Sequence, residues 1–151
     1  MAQFIGTSMT RGFAGMLTRG YYDNTTEIKV NDGTTPVKAF GVPVKLNAAG
    51  TGVTPVAAAA DKVYGFAVRV YGQASLDKDG ASYQEQKIVT VLRRGYIAVA
   101  NVDGTAAPGG QVYLTTSGGL SATSTSNTAL TGAVFAGTKD ADGLVEIAYN
   151  I

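Results

Sequence analysis

Turn signals break most of this chain into short stretches, and a chain broken up in this way has little room for long helices. Asn31-Asp32-Gly33, Asp79-Gly80, Gly109-Gly110 and Asp142-Gly143 combine residues that tolerate positive φ with residues whose side chains bend their own backbone. Between these turns the apolar residues recur with a period of two. Residues 26–30, 38–46, 53–56, 62–71, 86–92, 96–102, 111–115, 130–138 and 144–151 all read as strands. Pro43 marks its stretch as an edge or bulged strand, because proline has no N–H to give to a ladder. In residues 62–71, Tyr64, Phe66, Val68 and Val70 form the expected buried face. Arg93-Arg94-Gly95 is either a bend or a tight hairpin between two strands, and residues 117–128 are expected to be the least structured internal stretch. Residues 55–62 are the nearest helix candidate, an alanine run too short to stand alone. About eight to ten short strands, with turns every ~8–12 residues, predict an all-β fold: a small β-sandwich or jelly roll, or a β-barrel.

The chemistry of most enzyme classes is missing. With no His and no Cys there is no imidazole base, no serine–histidine pair, no thiolate nucleophile and no soft metal ligand. The glycines form neither a phosphate-cradling loop nor a dinucleotide fingerprint. Asp77-Lys78-Asp79-Gly80 and Asp140-Ala141-Asp142-Gly143 resemble the start of a calcium loop, yet both lack its later ligands and sit where strands must reverse, so both read as turns. Asn24-Thr25-Thr26 fits a glycosylation sequon, a weak three-residue pattern. No catalytic residue, metal or cofactor is expected.

Net charge is +1, with no basic run beyond Arg93-Arg94, so no nucleic-acid partner is expected. The longest apolar stretches, residues 53–60 and 63–70, fall well short of the ~20 residues a membrane helix needs. The first residues have no basic, apolar leader, which points to synthesis in a cytoplasm. Charged residues are only 15% of the chain, against about 25% in typical soluble domains, as suits a surface partly covered by a partner.

Residues 1–22 differ from the rest. Phe4, Ile5, Met9, Phe13, Met16, Leu17, Tyr21 and Tyr22 are scattered among Gly6, Gly12, Gly15 and Gly20, with Arg11 and Arg19 but no carboxylate before Asp23. Repeated glycine weakens a helix, and the apolar content is too high for a solvated tail. The stretch reads as an arm that orders against something else, followed by a single β-domain over residues 23–151. A poorly formed first strand of that domain is the competing reading.

Five segments stand out in order: Arg11-Gly12-Phe13-Ala14-Gly15-Met16-Leu17, Tyr64-Gly65-Phe66-Ala67-Val68-Arg69-Val70-Tyr71, Val91-Leu92-Arg93-Arg94-Gly95-Tyr96 and Gly110-Gln111-Val112-Tyr113-Leu114, then a closing Gly143-Leu144-Val145-Glu146-Ile147-Ala148-Tyr149-Asn150-Ile151. Their order resembles the structural cement, or capsid decoration, proteins of tailed phages. The resemblance implies a virion protein on the outer face of an assembled head. There it would bridge neighbouring major capsid proteins and resist the pressure of packaged DNA. Such proteins form trimers at three-fold positions or dimers at two-folds, and a trimer is favoured here. Phe4, Ile5, Met9, Arg11, Phe13, Met16, Leu17 and Arg19 are the candidate capsid contacts, with Tyr64, Tyr71, Tyr96 and Tyr113 as candidate self-contacts. The alternative is a carbohydrate- or host-receptor-binding β-module of a virion. It calls for an exposed aromatic platform, and the chain has no Trp.

Overall fold

The structure, a computed structural model, describes residues 12–70, 74–77, 80–83 and 88–151, with backbone alone for 74–77 and 80–83. Among the described residues there are eleven strands, one 3-10 turn at Tyr21–Asp23 and no α-helix. The first four strands are β1 (Thr25–Asn31), β2 (Pro43–Leu46), β3 (Gly52–Pro55) and β4 (Gly65–Val68). A hairpin of β5 (Ala74–Asp77) and β6 (Gly80–Tyr83) follows, then the long β7 (Ile88–Val99). The last four are β8 (Gln111–Leu114), β9 (Leu120–Ser121), β10 (Thr128–Phe135) and β11 (Val145–Tyr149).

Nine strands form one sheet in the order β1-β3-β2-β4-β7-β11-β10-β8-β9, and β1 also pairs with β7. That extra pairing closes β1, β3, β2, β4 and the first half of β7 into a five-stranded barrel. The second half of β7 leaves the barrel and carries β11, β10, β8 and β9. The expected pair of strands at 86–92 and 96–102 is therefore one strand, bent at Arg93–Gly95 and common to both halves of the molecule.

Register shows which way each side chain points. Glu27 pairs with Val91, Lys29 with Val89 and Asn31 with Val53, so these residues point to the same side as Val44 and Ala67; Asn31 is buried there, whereas Glu27 and Lys29 stay partly exposed. The interior core is Val37, Phe40, Val44, Val53, Ala67, Val89 and Val91. Outside the barrel, Phe66, Val68 and Leu92 join a larger core with Ile97, Val99, Val112, Phe135, Val145, Ile147 and Tyr149. The single buried face expected around Phe66 is thus corrected. β4 separates the two cores, and all four of its residues are buried.

Other expectations change for similar reasons. β2 lies between β3 and β4 rather than at an edge, and Pro43 is tolerated because it is the first residue of the strand. No helix forms at 55–62. The Asp61 carboxylate instead accepts the N–H groups of Ala57 (2.9 Å) and Ala58 (3.0 Å) and closes a turn. The stretch 117–128 is more ordered than expected: it contains β9, whose Leu120 and Ser121 are buried. β11 buries all five residues, because it lies between β7 and β10 with both faces covered. The strand ends at Tyr149; Asn150 takes a φ of 52° and Ile151 is exposed, which ends the alternation one residue pair early.

Candidate functional site

The stretch 12–24 is tied along the outside of both halves. Gly15 N–H donates to the Ala98 carbonyl (2.8 Å), and Ala98 N–H donates back to the Met16 carbonyl (2.9 Å). Arg69 N–H reaches the Gly15 carbonyl (2.8 Å), and Thr18 N–H reaches that of Tyr96 (3.3 Å). Leu17 thereby bridges Ile97 in antiparallel fashion, and its side chain packs on the larger core. Two glycines make this close approach possible. A Cβ on Gly15 would lie 2.7 Å from the Phe40 Cβ, and one on Gly41 would lie 2.7 Å from the Gly15 nitrogen.

An ion pair completes the attachment. Arg19 donates to Glu146 through Nε (2.8 Å) and Nη2 (3.1 Å), while the Thr18 hydroxyl donates to the same carboxylate (2.5 Å). Glu146 is buried in β11, so this bidentate pair also satisfies a carboxylate that would otherwise be costly to bury. Hydrogen bonding to Glu146 holds the Arg19 pKa above its ordinary value. The Arg19 guanidinium also lies 4.6 Å above the Tyr96 ring.

This segment turns four large apolar side chains outward, together with the charged Arg19 and Asp23. Phe13 is 59% exposed beneath the Arg69 guanidinium (4.4 Å), and Met16 is exposed three residues on. Tyr21 and Tyr22 are 88% and 95% exposed. Beside Phe13 runs a groove of 780 Å³ lined by Phe13, Pro36, Phe40, Pro55, Arg69 and Leu120 among others. Concave surfaces of this mainly apolar kind suit a docked side chain or extended segment.

A family model described as "Structural cement protein (E217 gp24/Pam3 gp6)" matches residues 2–150. The chain belongs to this phage structural cement protein family. Its role is accordingly structural, in the phage particle. No curated protein matches it. Among solved structures, a chain of "The capsid of Myoviridae Phage XM1" superposes with a TM-score of 0.71 at 17% identity, over 99% of the cement-family chain and 97% of its counterpart. At that identity the likeness shows a shared all-β fold.

In this cement-family chain the residues singled out from sequence fall in different places. Phe4, Ile5, Met9, Arg11 and Tyr71 lie outside the described residues. Phe13 and Met16 face solvent, Leu17 packs inward, and Arg19 is bound to Glu146. Tyr64, Tyr96 and Tyr113 are half-buried. The Tyr64 hydroxyl donates to Glu27 (2.6 Å), its ring lies 3.6 Å under the Arg93 guanidinium, and its carbonyl accepts from Arg93. Lys29 pairs with Glu27 at 2.9 Å; the bond from Lys29, then that from Tyr64, lowers the Glu27 pKa.

Both Asp-x-Asp-Gly sequences join strands. The first links β5 to β6, with Asp77 paired to Gly80. In the second, Asp140 Oδ1 accepts the N–H groups of Asp142 (3.0 Å) and Leu144 (2.9 Å). Among the described residues no cluster of acidic side chains is arranged around a metal position. The sequon asparagine serves another purpose: its amide donates to the Arg19 (3.1 Å) and Gly20 (3.0 Å) carbonyls and accepts from Tyr96 N–H (2.8 Å).

Sequence reasoning missed an outward apolar strip on the barrel, formed by Ile28, Val30 and Ile88. The signal was present in the alternation of Glu27 and Lys29 with Ile28 and Val30. Alternation alone, however, does not say which set points to the inner side of the barrel.

Proposed function

We propose that this protein binds the outer face of the assembled phage head and bridges neighbouring major capsid proteins, cementing the shell against the pressure of packaged DNA. The observation that carries this role is the outward apolar rim of Phe13, Met16, Tyr21 and Tyr22, held on a rigid β frame by the segment beneath it. Large apolar groups fixed in water suit a partner that covers them. The preceding residues Phe4, Ile5, Met9 and Arg11 extend the same contact, so that residues 1–22 act together as the capsid-binding stretch. Copies joined as a trimer, in preference to a dimer, strengthen the grip, because each further contact becomes intramolecular once the first is made.

The test is to image heads assembled with and without the protein and to heat both. Added density on the outside, spanning adjacent capsid subunits, with DNA retained to a higher temperature, is the expected result. Density inside the shell, or on single subunits only, overturns the bridging role, as does identical DNA release.

A further inference from the structure

We infer that the turn bearing Tyr21 and Tyr22, together with Arg94, is the hot spot of the contact with the shell. Its counterpart is a capsid-protein face offering an apolar socket beside a carboxylate. This rests on the capsid-binding role proposed above and names the residues and partner chemistry of that contact.

Three observations converge on the turn. First, it is pre-organised. Asn24 ties the Arg19 and Gly20 carbonyls to the β7 backbone at Tyr96, and the Asn24 side chain fills the space where Gly95 has no Cβ. Two aromatic side chains with few rotatable bonds on a clamped turn lose little freedom when they are covered. Second, the rings meet edge to face, 5.7 Å apart and at 81°, so they form a wedge. A sugar-stacking platform needs flat, open ring faces, whereas a wedge fits a socket in a protein surface. Third, Arg94 is exposed, is the register partner of Thr25 just after the turn, and has no ion-pair partner among the described residues. Arg94 is therefore left for a carboxylate on the partner. Tyrosine and arginine are the residue types enriched at interface hot spots.

The experiment uses the full chain and heads assembled without it, with affinity read by co-sedimentation at fixed ionic strength. Tyr21→Ala/Tyr22→Ala and Arg94→Glu should each weaken binding by about 30-fold or more. Tyr21→Phe/Tyr22→Phe should keep most of the affinity, and Thr125→Ala, an exposed residue on another loop, should keep all of it. Unchanged affinity in both disruptive variants overturns the hot spot while leaving capsid binding intact. Failure of the wild-type chain to bind heads overturns both. Loss of self-association with shell affinity unchanged assigns the turn to a second copy and overturns the inference, and so does a glycan whose binding needs the two rings. If the double alanine variant melts early, Arg94→Glu decides the matter alone, since its side chain is exposed and bears on no core.

Discussion

Asn24 and Asn150 hold the bend of β7 from two distant points of the chain, one just ahead of β1 and one just after β11. Asn24 accepts from Tyr96 N–H, and Asn150 donates to the Arg93 carbonyl (2.9 Å). Gly95, with a φ of 135°, lies between them, and a Cβ there would come within 2.1 Å of the Asn24 Oδ1. Asn24→Ala removes three hydrogen bonds and should lower unfolding stability in urea by about 1–3 kcal/mol. Gly95→Ala should cost more in the wild-type background than in the Asn24→Ala background, with a coupling of about 0.5–3 kcal/mol, because the clash with the asparagine side chain is removed while that with the Asn24 Cα, at 2.9 Å, remains. Equal costs in the two backgrounds would show that the clamp is not what fixes the bend. Asn24 was legible in sequence only as part of a sequon. Its decisive partner is 72 positions away, a distance over which local pattern carries no information.

At the scale of elements, alternation and turn residues located most strands, because a period of two is a property of the strand itself. β8 came out as expected, with Val112 and Leu114 inward, and the turns at Asp32 and Asp140 form through their own carboxylates. What alternation could not show was the neighbour on each face. β4 and β11 are buried on both sides, and β1 turns its aliphatic residues to solvent, because barrel closure is set by pairing between distant strands. The candidate site was legible only in part for the same reason: of the residues read as capsid contacts, Phe13 and Met16 face outward, whereas Arg19 is held by a buried carboxylate on β11. Gly15→Ala should loosen the stretch 12–18. Hydrogen exchange should speed at the Ala98 and Arg69 amides while Val89 and Val91 stay protected, and unaltered exchange at Ala98 would refute that attachment. Ile28→Thr/Val30→Thr, on the exposed face of β1, should change stability by no more than about 0.5 kcal/mol, since no buried contact is lost. A large drop in melting temperature would mean that something covers that strip.

For the whole molecule, acid should be the weak side. Glu27, Asp32 and Asp61 all have lowered pKa values. The leading causes are the bond from Lys29 for Glu27, the Thr35 N–H for Asp32 and the bond from Lys45 for Asp61. A depressed carboxylate stabilises the fold above its unfolded value, near 4.5 for Glu and 3.8 for Asp, and that contribution is lost as pH falls through the lower folded value. Burial raises the Tyr149 pKa above 10.0, so above that pH ionisation favours the unfolded chain and stability falls again. With no histidine in the sequence, melting temperature should be flat between these limits, and Asp61→Asn should shrink the acid-side drop. A step near neutral pH in a thermal melt would contradict this. The shared strand has a mechanical meaning as well. The stretch 15–18 and β11 both run antiparallel to the second half of β7. A tug on Gly15 along the direction of the stretch 15–18 would load the bonds at Ala98 and Tyr96 together, in shear, instead of unzipping them one after another. Force entering there would pass through β7 into the barrel walls, so under the cementing role proposed above the segment would be joined to its frame in its stiffest direction.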